Sequence, residues 1–291
     1  MTDHLTTTIS SAGKSVEISR EHPTVIIGER INPTGRKKVL AALQEGDFEI
    51  VKQDALSQVE AGAAILDVNA GVPGADEPEL LKQVMQTVMD VTDVPLCIDT
   101  ADPDALRAAL EIYEGKALIN STNGEEHSLE AILPLVKEFN TAVIGLCMDD
   151  DGIPPTPQDR LAVAEKIISR ADSLGIPAED VIIDPLALTM GSDHNAGRIA
   201  LETIELIVDK FGVNVTMGAS NISFGLPDRA LINSTYIAMA IYAGMTCPIT
   251  NPLVPAIQTA VLAANLSMGR DEYGSRWIKA YRDRQKNEAE S

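Results

Sequence analysis

Residues 64–99, AILDVNAGVPGADEPELLKQVMQTVMDVTDVPLCID, decide how the rest of the chain is read. Ala64–Val68 (AILDV) and Pro95–Asp99 (PLCID) are short runs of apolar residues, each the length of a strand. Both are continuous rather than alternating, which is the pattern of strands covered on both faces. Between them, Glu77–Val91 carries apolar residues at helical spacing, with a proline near its start. Strand, helix and strand in that order make a crossover unit, and a crossover leaves its two strands parallel.

The same unit recurs in both directions. Upstream stands Thr24–Gly28 (TVIIG); downstream come Ala117–Asn120, Ala142–Cys147, Val181–Asp184, Asn214–Gly218 and Thr246–Thr250. Helical patterns alternate with them at Glu49–Glu60, Pro103–Glu111, Ser128–Glu138, Pro157–Leu174, Arg198–Phe211, Arg229–Tyr242 and Pro255–Met268. Asp102-Pro103-Asp104 and Thr156-Pro157 have the composition of helix starts. Eight strand–helix alternations predict an α/β protein of the (β/α)8 barrel type, in a single domain. The rival is a doubly wound open sheet, which uses fewer units and would show GxGxxG after its first strand; that motif is missing there. Residues 1–23 read as an N-terminal extension, 24–268 as the barrel and 269–291 as a helical tail. In the tail, Trp277 and Tyr281 lie one helical turn apart and suit docking on the barrel or on a second copy; Asn287–Ser291 are expected to fray.

Composition narrows the function. The chain has 291 residues, room for one such barrel. Only 3 % are aromatic, so the core must be built from Ala, Val, Ile, Leu and Met. The formal charge of −20 would repel a nucleic acid. An anionic small substrate would need a local basic patch, for which Arg30, Arg36, Lys37 and Lys38 are candidates. Cys97, Cys147 and Cys247 are far apart in apolar runs and form no CxxC pair, which argues against zinc or iron–sulfur and fits a reducing cytoplasm. Met1–Lys14 lacks the apolar core of a signal peptide, and no stretch approaches the roughly 18–20 apolar residues of a membrane span. A cytoplasmic chain without membrane or nucleic-acid partners is expected.

Chemistry in such barrels sits at the C-terminal ends of the strands. The polar residues there are Glu29 and Asn32, Asp67 and Asn69, Asp99, Asn120, Met148 and Asp149, Asp184, Asn221, and Thr250 with Asn251. A Schiff-base enzyme would need a lysine in this ring, and a zinc hydrolase would need histidines; His4, His22, His127 and His194 all lie elsewhere. What Asp and Asn do well is hydrogen-bond a polar heterocycle: a carboxylate accepts two N–H bonds, and an amide supplies one donor and one acceptor. Asp99, Asn120 and Asp184 together would fit a pterin. Asp67 and Asn251 could equally be helix caps, and Asn69-Ala70-Gly71 only a turn.

Seven segments then show a resemblance: VIIGERINPTGRKK (25–38), LDVNAGVPG (66–74), LCIDT (96–100), LINSTNGE (118–125), IGLCMDDDGIP (144–154), IIDPL (182–186) and GASNISFGLPDR (218–229). In this order they resemble the methyltetrahydrofolate:corrinoid methyltransferases and the folate domain of cobalamin-dependent methionine synthase, over roughly residues 24–268. The resemblance implies a TIM barrel, a homodimer, and no metal other than the cobalt of a corrinoid. It places the pterin-holding residues at Asp99, Asn120 and Asp184, the N5-proximal Asn at Asn221, and the closing Arg at Arg229. Glu29, Asn32, Asp67, Asn69 and Phe224 are further candidates around the folate. Two departures concern neighbouring contacts: Asp102 stands where some members have Asn, and Phe224 where some have Gln.

The expected activity is methyl transfer between N5 of tetrahydrofolate and the cobalt of a corrinoid, in one-carbon metabolism. Asn221 would stabilise protonated N5, with the proton arriving through water. The direction stays open, although the 218–229 segment looks more like members that methylate tetrahydrofolate in demethylation pathways. Ser192-Asp193-His194-Asn195-Ala196-Gly197 falls short of a D-x-H-x-x-G corrinoid motif, so the corrinoid is expected on a separate protein. Gly13-Lys14-Ser15 is half a P-loop and is discounted. The alternatives are a dihydropteroate synthase, which would need basic residues where Asn251–Pro255 stands, and a folate-binding protein without turnover.

Overall fold

All eight apolar runs form parallel strands of one sheet in the computed structural model, which describes residues 4–290, with side chains as far as Lys286. A hairpin of β1 (Thr7–Ser10) and β2 (Ser15–Ile18) comes first. The barrel follows as β3 (Ile27–Ile31), α1 (Lys37–Gln44), α2 (Glu49–Glu60), β4 (Ile65–Asn69), α3 (Glu77–Met89), β5 (Leu96–Asp99), α4 (Pro103–Ile112), β6 (Leu118–Asn123) and α5 (Glu126–Glu138). Its second half is β7 (Ala142–Leu146), α6 (Pro157–Ser173), β8 (Val181–Asp184), α7 (Ala196–Phe211), β9 (Thr216–Gly218), α8 (Arg229–Ala243), β10 (Cys247–Thr250) and α9 (Pro255–Ser267). A last helix, α10 (Ser275–Glu290), packs on α9. The fraying expected from Asn287 onward falls where side chains, and for Ser291 the backbone, lie outside the described residues.

The strand order is β8-β7-β6-β5-β4-β3-β10-β9. The ring closes between β8 and the residues before β9, where Ile183 pairs with Val215 and its N–H donates to the Asn214 carbonyl at 3.0 Å. Two cores result. One fills the interior with Ile27, Ile65, Cys97, Leu118, Ile144, Ile182 and Ile249; the other lies between strands and helices. Both are aliphatic, as a chain so poor in aromatics requires. The expected helix starts are present: the Asp102 carboxylate accepts the Asp104 N–H at 2.9 Å, and the Thr156 hydroxyl accepts the Asp159 N–H at 3.2 Å.

Three features depart from the reading of the sequence. The first barrel strand runs Ile27–Ile31, later than Thr24–Gly28, because the ladder to β4 resumes at Ile31 after an irregularity beyond Gly28. Glu29 therefore lies inside a strand. Strand β6 continues past Asn120 to Asn123, with a register shift between Asn120 and Thr122. The N-terminal extension contains the β1–β2 hairpin, which seals the N-terminal end of the barrel. Ile9 and Ile18 are fully buried in the interior core. The Asn214 amide fastens the hairpin by donating to the Leu5 carbonyl (3.2 Å), the Thr7 hydroxyl (2.9 Å) and the Ile18 carbonyl (2.8 Å). Gly115, at φ +126°, lets the α4–β6 turn approach: a Cβ there would stand 2.3 Å from the Ser10 carbonyl oxygen.

Candidate active site

With one end sealed, the polar ring faces the other. Asn69, Asp99 and Asn120 stand level on adjacent strands, paired in register as Asn69 with Asp99 and Asp99 with Asn120. Asn69 donates its amide to the Asp99 carbonyl at 3.1 Å while its oxygen accepts the Gly71 N–H at 2.9 Å. It makes a turn and also supports the neighbouring strand. Asn32 also makes a turn, accepting the Thr34 N–H at 2.8 Å, and its amide reaches past β4 to an Asp99 carboxylate oxygen at 3.5 Å. Asp67 is buried and caps no helix; it accepts from the Asn120 amide at 3.0 Å and so fixes how that amide is turned. Asn251 forms a turn with the Leu253 N–H at 3.0 Å.

Asp184 ends β8 on the far side of the ring. It is buried; one oxygen accepts the Leu186 N–H at 2.7 Å, and the other lies 3.4 Å from the Gly218 N–H. Asn221 sits in a 3-10 turn, Ala219–Ser223, and is exposed at the mouth. Its amide lies over Gly218, where a Cβ would come within 3.0 Å of Asn221 Nδ2. Ser220, beside it, donates to Glu29 at 2.7 Å and ties the turn to β3. Arg229 opens α8 and braces the same turn, donating to the Ser220 carbonyl at 2.7 Å and to the Ser223 hydroxyl at 3.1 Å. Its guanidinium lies 5.8 Å from the centre of the Phe224 ring, which is 68 % exposed. Of the proposed basic patch, Arg36 is held by Asp54 and the Arg30 carbonyl, while Lys37 and Lys38 are exposed.

Burial governs the charges. It pushes the Asp99 and Asp184 carboxyls each up to about 6. The two backbone N–H groups at Asp184 oppose the rise. Burial raises Asp67 well above the usual carboxylate range, and the neighbouring Asp99 adds to it. Glu29 is also raised by burial, against the hydroxyl of Ser220. The Cys97 thiol is pushed up by burial and by Asp67. The ring is thus rich in hydrogen-bond acceptors whose negative charge water stabilises poorly, the condition under which an N–H-rich heterocycle is a good substitute. No group of three or more His, Cys, Asp or Glu among the described residues is arranged to hold a metal ion. A cavity of about 550 Å3 lined by Ser11, Asp93 and Tyr113 lies beside the hairpin, at the opposite end from this ring.

Two kinds of site residue were not legible in the sequence. Ser220 and Ser223 have no strand-end position to mark them; their roles come from partners far away in the chain or hidden in a turn. Arg160 looks like a surface residue of an amphipathic helix, yet it is buried against the Asp184 loop.

An eight-stranded parallel barrel with this ring of Asp and Asn at its mouth has the build of a pterin-binding enzyme, and the chain belongs to the pterin binding enzyme family, which it matches over residues 28–251. Within that class it is similar to a methylcorrinoid:tetrahydrofolate methyltransferase from Eubacterium limosum, 30 % identical over 264 residues that cover 89 % of this chain and 96 % of that protein. It is also similar to methionine synthase from Mycobacterium tuberculosis, 28 % identical over 256 residues; there the match covers 84 % of this chain and 22 % of the larger protein. Among solved structures, dihydropteroate synthase from Xanthomonas albilineans in complex with 7,8-dihydropteroate superposes with a TM-score of 0.65 at 21 % identity, covering 89 % of this chain and 98 % of that one. Dihydropteroate synthase from Thermus thermophilus gives 0.64 at 19 % identity, covering 89 % and 99 %. These two likenesses concern the fold.

Proposed function

We propose that this protein moves a methyl group between N5 of tetrahydrofolate and the cobalt of a corrinoid carried by a partner protein. The observation that carries the reading is the gathering of Asp99, Asn120 and Asp184 at the C-terminal ends of β5, β6 and β8, in a chain 30 % identical to a methylcorrinoid:tetrahydrofolate methyltransferase along nearly the whole of both. Asp99 and Asp184 accept N–H bonds from the pterin, and the Asn120 amide, oriented by Asp67, supplies a donor and an acceptor between them. Glu29, Asn32 and Asn69 support this floor. Arg229 and Phe224 shape the turn that presents Asn221, and Lys37 and Lys38 are placed to meet an anionic tail.

Positioning is the main catalytic means, and it supplies on the order of 7–11 kcal/mol at best. In the direction of folate methylation, the cobalt–carbon bond breaks heterolytically. Cobalt keeps the electron pair, N5 takes the methyl, and the N5 proton leaves to water. The reverse direction returns a proton to N5 as its bond to the methyl breaks. In either direction Asn221 hydrogen-bonds N5 and steadies its charge. Similarity to the Eubacterium limosum protein favours folate methylation as the cellular direction. A dihydropteroate synthase activity is disfavoured, since β10 runs into Asn251-Pro252-Leu253-Val254-Pro255 without a basic residue. The test is protein-dependent methyl exchange between methyltetrahydrofolate and a cobalt(I) corrinoid.

The protein acts as a homodimer through the outer face of α8. Residues 230–269 contain no Asp, Glu, Lys or Arg, in a chain of net charge −20. Leu231 (60 %), Met239 (50 %) and Tyr242 (71 %) are exposed in one stripe there. Two such acidic bodies repel one another least where they are uncharged, and a stripe on one helix can pair with itself about a two-fold axis. Sedimentation of the protein and of Met239→Glu tests this: a dimer that becomes a monomer supports the face, and a wild-type monomer removes it. The mouth stays free for the corrinoid partner. The three cysteines are free and buried, which suits a reducing cytoplasm, and no helix among the described residues is long and apolar enough to cross a membrane.

A further inference from the structure

Arg160 belongs to α6, on the outer ring of helices, yet the residue is only 2 % exposed. All the hydrogen bonds it makes run to backbone carbonyls. Nε donates to Pro154 at 2.9 Å, and Nη1 donates to Pro185 and to Leu186, each at 2.8 Å. Pro154 lies on the loop between β7 and α6; Pro185 and Leu186 lie on the loop that leaves β8. One guanidinium therefore fastens two loops at the barrel mouth to each other. A planar fork of donors suits this task, and a lysine could not reproduce it.

The second loop needs fastening. Leu186 stands at φ +64°, a left-handed conformation that residues with a side chain rarely adopt. Its N–H is the 2.7 Å donor to Asp184, so the conformation of Leu186 and the aim of the Asp184 carboxylate are a single arrangement. The loop continues to Met190, whose N–H donates to Ile222 in the Asn221 turn at 2.9 Å. A buried cation is costly unless it is compensated. Here three carbonyl dipoles compensate it, together with the charge of Asp184.

We propose that Arg160 is a positioning residue for the pterin. By tying Pro185 and Leu186 to Pro154 it holds Leu186 in its left-handed state and so aims Asp184 into the mouth. This rests on the reading that Asp184 holds the pterin. Arg160 also acts on Asp184 through its charge. The other groups around that carboxyl are the thiols of Cys147, at the end of β7, and Cys247, on β10, and the phenol of Tyr236 on α8, all raised by burial. Asp193, on the loop before α7, is the other carboxylate acting on Arg160.

The test is a tetrahydrofolate titration against pH with wild type, Arg160→Met and Arg160→Lys, alongside methyl-transfer kinetics and circular dichroism. Arg160→Met is expected to raise Kd and KM about tenfold or more while changing kcat far less. It should also move the midpoint of binding to higher pH, because Asp184 loses a neighbouring cation. Arg160→Lys is expected to restore the midpoint but not the affinity, since it returns the charge without the fork. A residue that served packing alone would lower stability and leave both readouts where they are. A folded Arg160→Met that binds as wild type does, with the same midpoint, overturns the proposal. If Arg160→Met does not fold, wild-type affinity in Arg160→Lys overturns it. If wild type itself fails to bind tetrahydrofolate, the pterin reading falls and this proposal with it; wild-type binding with indifferent variants removes this proposal alone.

Discussion

Replacing Asp184 with Asn separates the cost of losing the pterin from any cost to the fold. The two side chains have the same shape, and the Asn oxygen can still accept the Leu186 N–H that Asp184 holds at 2.7 Å. The other position becomes an amino group facing the Gly218 N–H, 3.4 Å from the present oxygen, and any N–H of the bound heterocycle. A hydrogen bond to a charged acceptor contributes about 1.5–3 kcal/mol, and a buried donor left facing a donor costs about 1–3 kcal/mol more. The sum is roughly 2.5–6 kcal/mol, which at about 1.4 kcal/mol per decade weakens tetrahydrofolate binding by about 60-fold or more. Burial already pushes this carboxyl up to about 6, so Asn imitates the form that the ligand-free protein tolerates best. Thermal stability without ligand at pH 7 should therefore fall by no more than the about 1–3 kcal/mol of the amino group that faces the Gly218 N–H. Calorimetric titration and thermal unfolding read the two quantities on one sample. A Kd within about threefold of wild type would refute the assignment of Asp184, and a large loss of Tm without ligand would show that its role is structural.

Two further outcomes follow from the same geometry. Asn221→Ala should slow single-turnover methyl transfer more than it weakens folate binding, because Asn221 is exposed at the mouth and its proposed partner is N5 rather than the pterin edge that the clamp holds; rapid-mixing spectroscopy would show this, and an unchanged rate would remove its proposed role. The raised carboxyls of Asp99 and Asp184 predict two opposite pH trends. Each group takes up its proton more readily folded than unfolded, so the stability it contributes without ligand is full below about 3.8 and is lost as pH rises through about 6. Folate affinity should instead rise with pH, about tenfold per carboxyl between pH 5 and 7, because in the proposed clamp the ionised form accepts the pterin N–H bonds. Affinity independent of pH in that range would mean that these groups bind in their protonated form.

The barrel was legible because its information is local. A run such as VIID at 181–184 can hardly be anything but a strand covered on both faces, and Thr156-Pro157 marks a helix start without reference to distant residues. The strand-end rule then located the ring of Asp and Asn. The hairpin was missed because its strands are four residues each and too short for a period to show, and the burial of Ile9 and Ile18 depends on the barrel floor they meet. Strand β3 starts later than its sequence pattern because apolar character begins at Val25, before the ladder to β4 begins. The supporting shell was out of reach for a related reason. Ser220 finds Glu29 across 191 positions, and Arg160 finds Leu186 across 26, and neither separation leaves a pattern in a single sequence.

Methyl transfer is separated from folate binding alone by the anaerobic spectrum of a cobalt(I) corrinoid mixed with methyltetrahydrofolate and this protein, repeated with the corrinoid bound to its carrier protein. The cobalt(I) band should decay and the methylcobalt band grow, both changes should require the protein, and both should slow on substituting Asp184 or Asn221. Spectra that stay constant with the free and the carrier-bound corrinoid alike, in a sample shown by titration to bind the folate, would contradict the methyltransferase and leave a folate-binding barrel.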